Sequence, residues 1–568
     1  MDRKTRQAVI GTTIALLAII IVVAAAIIKK LTPRNEVMEL TEYYKIEDNE
    51  VLTIMQDSIY EKKALLEDGT VYLDYETVNE KFNKRFYLDT NENILTYTTP
   101  TEVIKAEVGS NEYYVNKSKN KVNYDILKIK GDQVYVAIDF VKQYSDMRYV
   151  QYSDPNRIVI QYNWGDYLFT NVKKPTELRV EPSIKSDILV ELTKDQLLMY
   201  IDTSEVVKGG FSKVMTEDGV IGYVKNKFIV ESYYDTVKSD YTAPEYTHIT
   251  KDQKVNLVWH QVTNNSANNN VLNLLEKTKG VTAISPTWFK VSSNEGSIES
   301  LADETYVERV HSVGVEVWAL IDDFSTDVNM YELLSYTSRR EKLINELIAE
   351  SIKYNLDGIN IDFENISLET GIHYIQFIRE LSVKCRSNGI ILSIDNYVPS
   401  DFTAYFDKEE QGVVADYVVI MAYDEHHAGS EVSGSVSSIN FVKNAIDNTL
   451  TMVPKERVII AIPFYTRLWK EEADANGTIT VSSEAYSMTN AQNLLRDHGV
   501  TPEWDEETAQ YYGQYESDGA TFKMWLEEEE SIEAKMKLID QSDVAGVASW
   551  KLGLEKEDIW NVIMKYVN

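Results

Sequence analysis

The sequence predicts an α/β protein: a (β/α)8 barrel with a small inserted lobe, preceded by small β-rich domains and an N-terminal transmembrane helix. Three observations predict the barrel. From Lys254 onward eight short apolar, β-branched runs recur. Helix-period segments separate most of them, such as Ser338–Asn355, "SRREKLINELIAESIKYN". The stretch from Lys254 to Asn568 has the length of one such barrel. The strands in order are "KVNLVWHQV" from Lys254, "GVTAISPTWF" from Gly280, "GVEVWALID" from Gly314 and "LDGINIDFE" from Leu356. They continue with "GIILSIDNY" from Gly389, "DYVVIMAYD" from Asp416, "RVIIAIPFY" from Arg457 and "VAGVASWKLG" from Val544. Such continuous apolar runs suit parallel strands, which are covered on both faces. The gap from Arg467 to Ser542 is too long for one helix, so the lobe is expected at about 470–540.

The N-terminal part is organised differently. Ala8 to Ile28 is 21 residues without a charge, enough for a helix to span about 30 Å of hydrocarbon. Arg3, Lys4 and Arg6 precede it and Lys29, Lys30 and Arg34 follow, so flanking charge orients it weakly. Residues 1–34 are expected to be a short cytoplasmic tail and an uncleaved anchor, with the rest outside the cell. The alternative is a signal peptide cut near Ala24–Ala26. Residues 35–165 alternate in period two and contain a repeat. Val71, Tyr72, Val78, Phe86 and Asn93 recur 63 positions later as Val134, Tyr135, Val141, Tyr149 and Asn156. Each copy reads as strand, short helix and hairpin, and resembles the copper amine oxidase N-terminal module; copper is not implied, since no His lies there. Residues 166–235, with Leu178-Arg179-Val180, Gly210-Phe211-Ser212 and Gly219 to Val224, resemble a bacterial SH3-type barrel. Such barrels often bind wall peptides, and a plain spacer is the other reading. Residues 236–251 are expected to be a linker, and 252–568 the barrel.

Charge excludes one class of partner. The 57 Lys and Arg against 90 Asp and Glu give −33, the opposite of what phosphate backbones need, so no nucleic acid is expected. A single cysteine, Cys385, allows no internal disulfide. The seven histidines form no ligand set; His426 and His427 are adjacent and read as loop residues. No metal and no cofactor is expected.

The chemistry gathers in "LDGINIDFEN", residues 356–365. On a strand, alternate residues share a face. Ile359, Ile361 and Phe363 suit the helix layer, which turns Asn360, Asp362 and Glu364 inward, toward the C-terminal end where active sites of this fold lie. Two buried carboxyls together make poor packing, because burial without a partner costs several kcal/mol or forces a proton on. Coupled carboxyls let one stay protonated near neutral pH, as a general acid requires. Glu364, nearest the mouth, is the expected acid/base.

"DGINIDFE" resembles the D-x-x-D-x-D-x-E signature of family 18 glycoside hydrolases. "MAYD" at 421–424, "PFYTRLW" at 463–469 and "ASWKLG" with Trp550 also have counterparts there. The resemblance covers about residues 250–568 and implies a substrate with a 2-acetamido sugar, whose own carbonyl oxygen attacks the anomeric carbon. It implies Glu364 as acid, Asp362 orienting the acetamido N–H, Tyr423 holding its carbonyl, Asp424 binding sugar and Trp550 forming the floor. Trp288, Tyr465 and Asn396 are further strand-end candidates for substrate contact. Asp357 and Gly358 read as motif residues that anchor the strand's entry. The signature's second Asp is Asn360 here, which is expected to hydrogen-bond Asp362 beside the substrate.

These readings point to peptidoglycan, or another glycan containing N-acetylglucosamine, as partner, and to a cell-membrane protein with its catalytic domain on the wall side. A chitinase is the first alternative. A catalytically weak glycan-binding wall protein is the second, although the terminal Glu is retained.

Overall fold

The computed structural model describes residues 2–47, 49–201, 210–473 and 477–567. Short pieces of the region expected to be SH3-like (202–209) and of the expected lobe (474–476) lie outside the described residues. Contacts divide the chain into two units: 1–86 with 107–112 and 121–243, and 87–106 with 113–120 and 244–568.

The first unit begins with the helix Arg3–Leu31, long and apolar enough to cross a membrane and with no buried residue. The repeat folds as its pattern predicts. Strand Thr70–Asp74 leads into helical residues 75–82, and strand Gln133–Ala137 leads into helix Ile138–Gln143. Hairpin Arg148–Tyr152/Arg157–Gln161 closes the second copy. The first copy's hairpin, Tyr87–Asp89/Ile94–Thr98, belongs to the second unit. The described strands between Gly165 and Val237 form an antiparallel sheet whose last strand, Tyr233–Val237, pairs with Gly165–Asn171. The expected linker therefore starts later than 236. Its far end is also held, because Ile249 N donates to Asp416 (2.7 Å) and Lys251 N to the Tyr417 hydroxyl (2.7 Å).

In the second unit all eight expected strands form a closed parallel barrel: β1 Val255–His260, β2 Ala283–Val291, β3 Glu316–Asp322, β4 Gly358–Asp362, β5 Ile391–Tyr397, β6 Tyr417–Met421, β7 Val458–Pro463 and β8 Gly546–Trp550. Closure comes from β1 pairing with β8. The outer core is hydrocarbon between strands and helices and includes Ile359, Ile361 and Phe363. The interior is a second cluster, with Trp318 stacked on Tyr417 at 5.4 Å. Gly358 serves that stack: a Cβ there would lie 2.9 Å from the Trp318 ring. The helix predicted from Ser338 runs Thr337–Lys353 and buries Leu343, Ile344, Leu347 and Ile348, one stripe at helical spacing. On this helix the first copy's hairpin is fixed: Asp89 Oδ2 accepts from Thr337 N (2.6 Å) and Oγ1 (2.7 Å).

The inserted lobe differs in extent from 470–540. Its sheet begins at Tyr465, directly after β7, and ends at Leu526, with helix Met488–Asp497 packed on it. The following helix, Glu529–Gln541, buries Ile532, Met536 and Ile539 in the barrel's outer core and is the barrel helix between β7 and β8 rather than part of the lobe.

Candidate active site

A cavity of about 710 Å³ opens at the C-terminal end of the strands. Its wall includes Trp259 of β1, Asp362 and Glu364 at the end of β4, Asp395 and Tyr397 of β5, Tyr423 and Asp424 after β6, and Trp550 at the end of β8. The arrangement follows from register. β4 and β5 pair with Asn360 opposite Ser393 and Ile361 opposite Ile394. The inward row Asn360, Asp362, Glu364 therefore runs alongside Ser393, Asp395, Tyr397, and Tyr397 donates its hydroxyl proton to Glu364 Oε2.

Burial is the main force on these acids. It raises Glu364, helped by the Asp424 and Asp322 charges, while the Tyr397 hydrogen bond pulls the other way. Asp362 is raised well above a carboxylate's usual range by burial first and by Asp395 and Glu364 next. Asp362 Oδ1 is buried with no partner among the described residues, an acceptor left free at the cavity wall. Asp395 is likewise raised, by burial first, against the Asn360 hydrogen bond. The loop carrying Glu364 is pinned by Asp323, whose carboxylate accepts from Glu364 N (3.0 Å) and Asn365 N (2.9 Å). Burial pushes Asp323 up to about 6 despite those bonds.

Asn360 departs from expectation. It is fully buried and bonds neither Asp362 nor the cavity. Its Oδ1 accepts from Trp259 Nε1 (2.9 Å) and Ser285 Oγ (3.0 Å); its Nδ2 donates to Ser393 Oγ (3.1 Å) and Asp395 Oδ1 (2.8 Å). All four hydrogen-bonding positions of the amide are used, so none remains for substrate.

Three more candidates fall outside the cavity wall. Asn396 points into the helix layer and exchanges hydrogen bonds with Gln411 (2.7 and 3.1 Å). Ser393 and Asp395 face inward, so the residue after Asp395 must face out. Trp288 lies in the outer core, donates to Asn268 Oδ1 (2.9 Å) and packs on Tyr306. Tyr465 is buried behind the wall and donates to Asp424 Oδ1 (2.5 Å), so it holds the aspartate. The Tyr423 hydroxyl has no hydrogen-bond partner among the described residues, and Trp550 packs at 5.9 Å from Trp259. Asp357 anchors the strand's entry, accepting from Val317 N (2.8 Å) and meeting His311 Nε2 (2.7 Å). Asp395, Tyr397, Asp323 and Trp259 were not singled out from sequence. The available signal was the spacing Ser393, Asp395, Tyr397, which repeats the β4 alternation.

Residues 258–555 match the family described as glycosyl hydrolases family 18. The chain belongs to that family. It is a glycoside hydrolase, and residues 54–161 match the copper amine oxidase N-terminal domain. Among curated relatives is YvbX of Bacillus subtilis, described as an uncharacterized glycosylase: 26% identical over 264 residues, 44% of this chain and 75% of that protein. The cortical fragment-lytic enzyme of B. subtilis is 25% identical over 244 residues, 43% of this chain and 56% of that protein. The spore cortex-lytic enzyme SleL of Bacillus cereus shares the fold, with a TM-score of 0.50 at 20% identity over 57% of this chain and 76% of that one.

Proposed function

We propose that this family 18 hydrolase cleaves β-1,4 bonds next to N-acetylglucosamine in peptidoglycan, with retention and by substrate assistance. The observation that carries the reading is the pairing of a half-buried Glu364, whose carboxyl burial raises, with Asp362, whose buried Oδ1 has no partner among the described residues. No other carboxylate is needed as nucleophile if the acetamido oxygen does that work. That oxygen attacks the anomeric carbon as Glu364 gives its proton to the departing glycosidic oxygen. The free Asp362 oxygen accepts the acetamido N–H and stabilises the positive oxazolinium. Tyr423 donates to the acetamido oxygen, and Trp550 is the apolar floor. Water then enters with the Glu364 carboxylate as base, restoring its proton. Asp424, held by Tyr465, binds a sugar hydroxyl.

The wall substrate is supported by relatives named as cortical fragment-lytic enzymes. The anchor, residues 1–34, and the SH3-like region, residues 166–235, suit a protein held at the membrane that reaches into the wall, with wall peptides as ligands of the latter.

The test is digestion of purified peptidoglycan and of chitin oligomers, with Glu364→Gln alongside. New reducing ends on N-acetylglucosamine from peptidoglycan, reduced at least about 100-fold in the variant, are expected. Cleavage of chitin alone would replace this reading with a chitinase. Wall binding without cleavage would make the barrel a binding surface.

A further inference from the structure

The helix that follows β5, Lys408–Val414, begins with a cation that the mechanism does not use. Lys408 is only 4% exposed. Its Nζ reaches Thr403 O (3.3 Å) and Thr403 Oγ1 (3.2 Å) and lies 5.3 Å from the Phe406 ring. An ammonium has three donors, and both bonds here are long. No carboxylate pairs with it among the described residues, in a chain whose formal charge is −33. Other buried cations in this unit are paired: Arg340 with Glu380, Arg379 with Glu410 and Lys535 with Glu527. Burying a charge without a counterion is costly, and burial alone pushes this ammonium down to about 8.

Lys408 lines a second cavity, about 370 Å³, whose wall shares Pro399, Ser400 and Thr403 with the catalytic cavity. The two cavities flank one loop, which directly follows Tyr397, the last residue of β5 and the partner of Glu364. We propose that this side cavity is an anion subsite in which Lys408 takes a carboxylate projecting from the glycan held in the cleft. A single ammonium with hydroxyl neighbours suits one negative charge, and the Asp401 carboxylate on the same wall disfavours a dianion such as phosphate. On the proposed peptidoglycan substrate, on which this inference rests, that carboxylate is the lactyl group of the neighbouring sugar or the stem peptide attached there. The subsite separates acid-bearing glycans from plain chitin chains, a distinction that the acetamido chemistry does not make.

The test uses the full chain in detergent and three substrates: peptide-free glycan strands with free lactyl carboxylates, the same strands methyl-esterified, and chitin oligomers. The wild type should cut the acid strands with kcat/KM about tenfold above the ester, through KM, the size of one charge-assisted hydrogen bond. Lys408→Met should abolish that difference and Lys408→Arg should keep most of it, with thermal melting as the check on folding. The ester comparison needs no variant, so it decides the matter even if Lys408→Met fails to fold. Equal cleavage of acid and ester strands by the wild type overturns the subsite and leaves the peptidoglycan reading standing. Cleavage of chitin oligomers with neither strand cut overturns the peptidoglycan reading and the subsite with it.

Discussion

Tyr397 donates its proton to Glu364, and that contact fixes the sign of a pH effect. Burial raises the Glu364 carboxyl, and a general acid with a raised pKa stays competent to higher pH. The Tyr397 bond stabilises the charged form and so works downward. Tyr397→Phe should therefore move the alkaline limb of the kcat/KM profile to higher pH; a limb that moves down would mean that Glu364 is not the titrating acid. The neighbouring pair makes a second residue-scale prediction. Asn360 donates to Asp395 with a proton that an aspartate would not have. Asn360→Asp faces one buried carboxyl with another and leaves Ser393 and Asp395 short of a donor, costing at least about 2 kcal/mol. The swapped double variant, Asn360→Asp with Asp395→Asn, should recover most of that loss in urea midpoints. No recovery would mean that the two side chains do not act as a pair. The carboxyl that the β4 signature lacks at position 360 thus has a neighbour on β5, a fact invisible in β4 alone.

At the scale of the element, β4 was legible and β5 was not, for one reason. Polar residues in β4 strictly alternate with Ile359, Ile361 and Phe363, so the pattern announces its own faces. In β5, Asp395 and Asn396 are adjacent polar residues, and only the partner strand says which one faces inward. The pairing of Asn360 with Ser393 decides for Asp395. The eight strands themselves were readable because parallel strands buried on both sides must be apolar runs. Trp288 misled for the same reason as Asn396: from Ala283 and Ser285, which face the interior, alternation turns the indole outward. The lobe was misplaced because helix Glu529–Gln541 follows it without a break in composition. These assignments separate stability from catalysis. Asn396→Ala leaves the buried Gln411 amide short of both its bonds to Asn396, so it should lose about 1–3 kcal/mol of stability. Its kcat should stay within a few-fold of wild type at a temperature where it remains folded. A collapse of kcat in a fully folded Asn396→Ala would return this residue to the substrate.

At the scale of the whole molecule, charge and site pull in opposite directions on an anionic substrate. The formal charge of −33 spreads over the chain, while Lys408 is one buried cation beside the cleft. The two act over different distances. Repulsion between the acidic surface and carboxylate-bearing strands is long-ranged and screened, with a Debye length of about 30 Å at 0.01 M salt and about 8 Å at 0.15 M. The attraction at Lys408 is a short-range contact with a buried ammonium, which salt screens far less. Raising ionic strength should therefore remove the repulsion and keep the contact. On acid-bearing strands kcat/KM should rise severalfold between about 0.01 and 0.15 M salt, because approach is the step that the surface charge slows. On neutral chitin oligomers it should stay flat, and kcat should be insensitive on both. If kcat/KM on the acid strands instead fell with salt, an exposed cationic surface would be governing capture. The buried lysine would then not be the feature that draws an acidic substrate to an acidic enzyme.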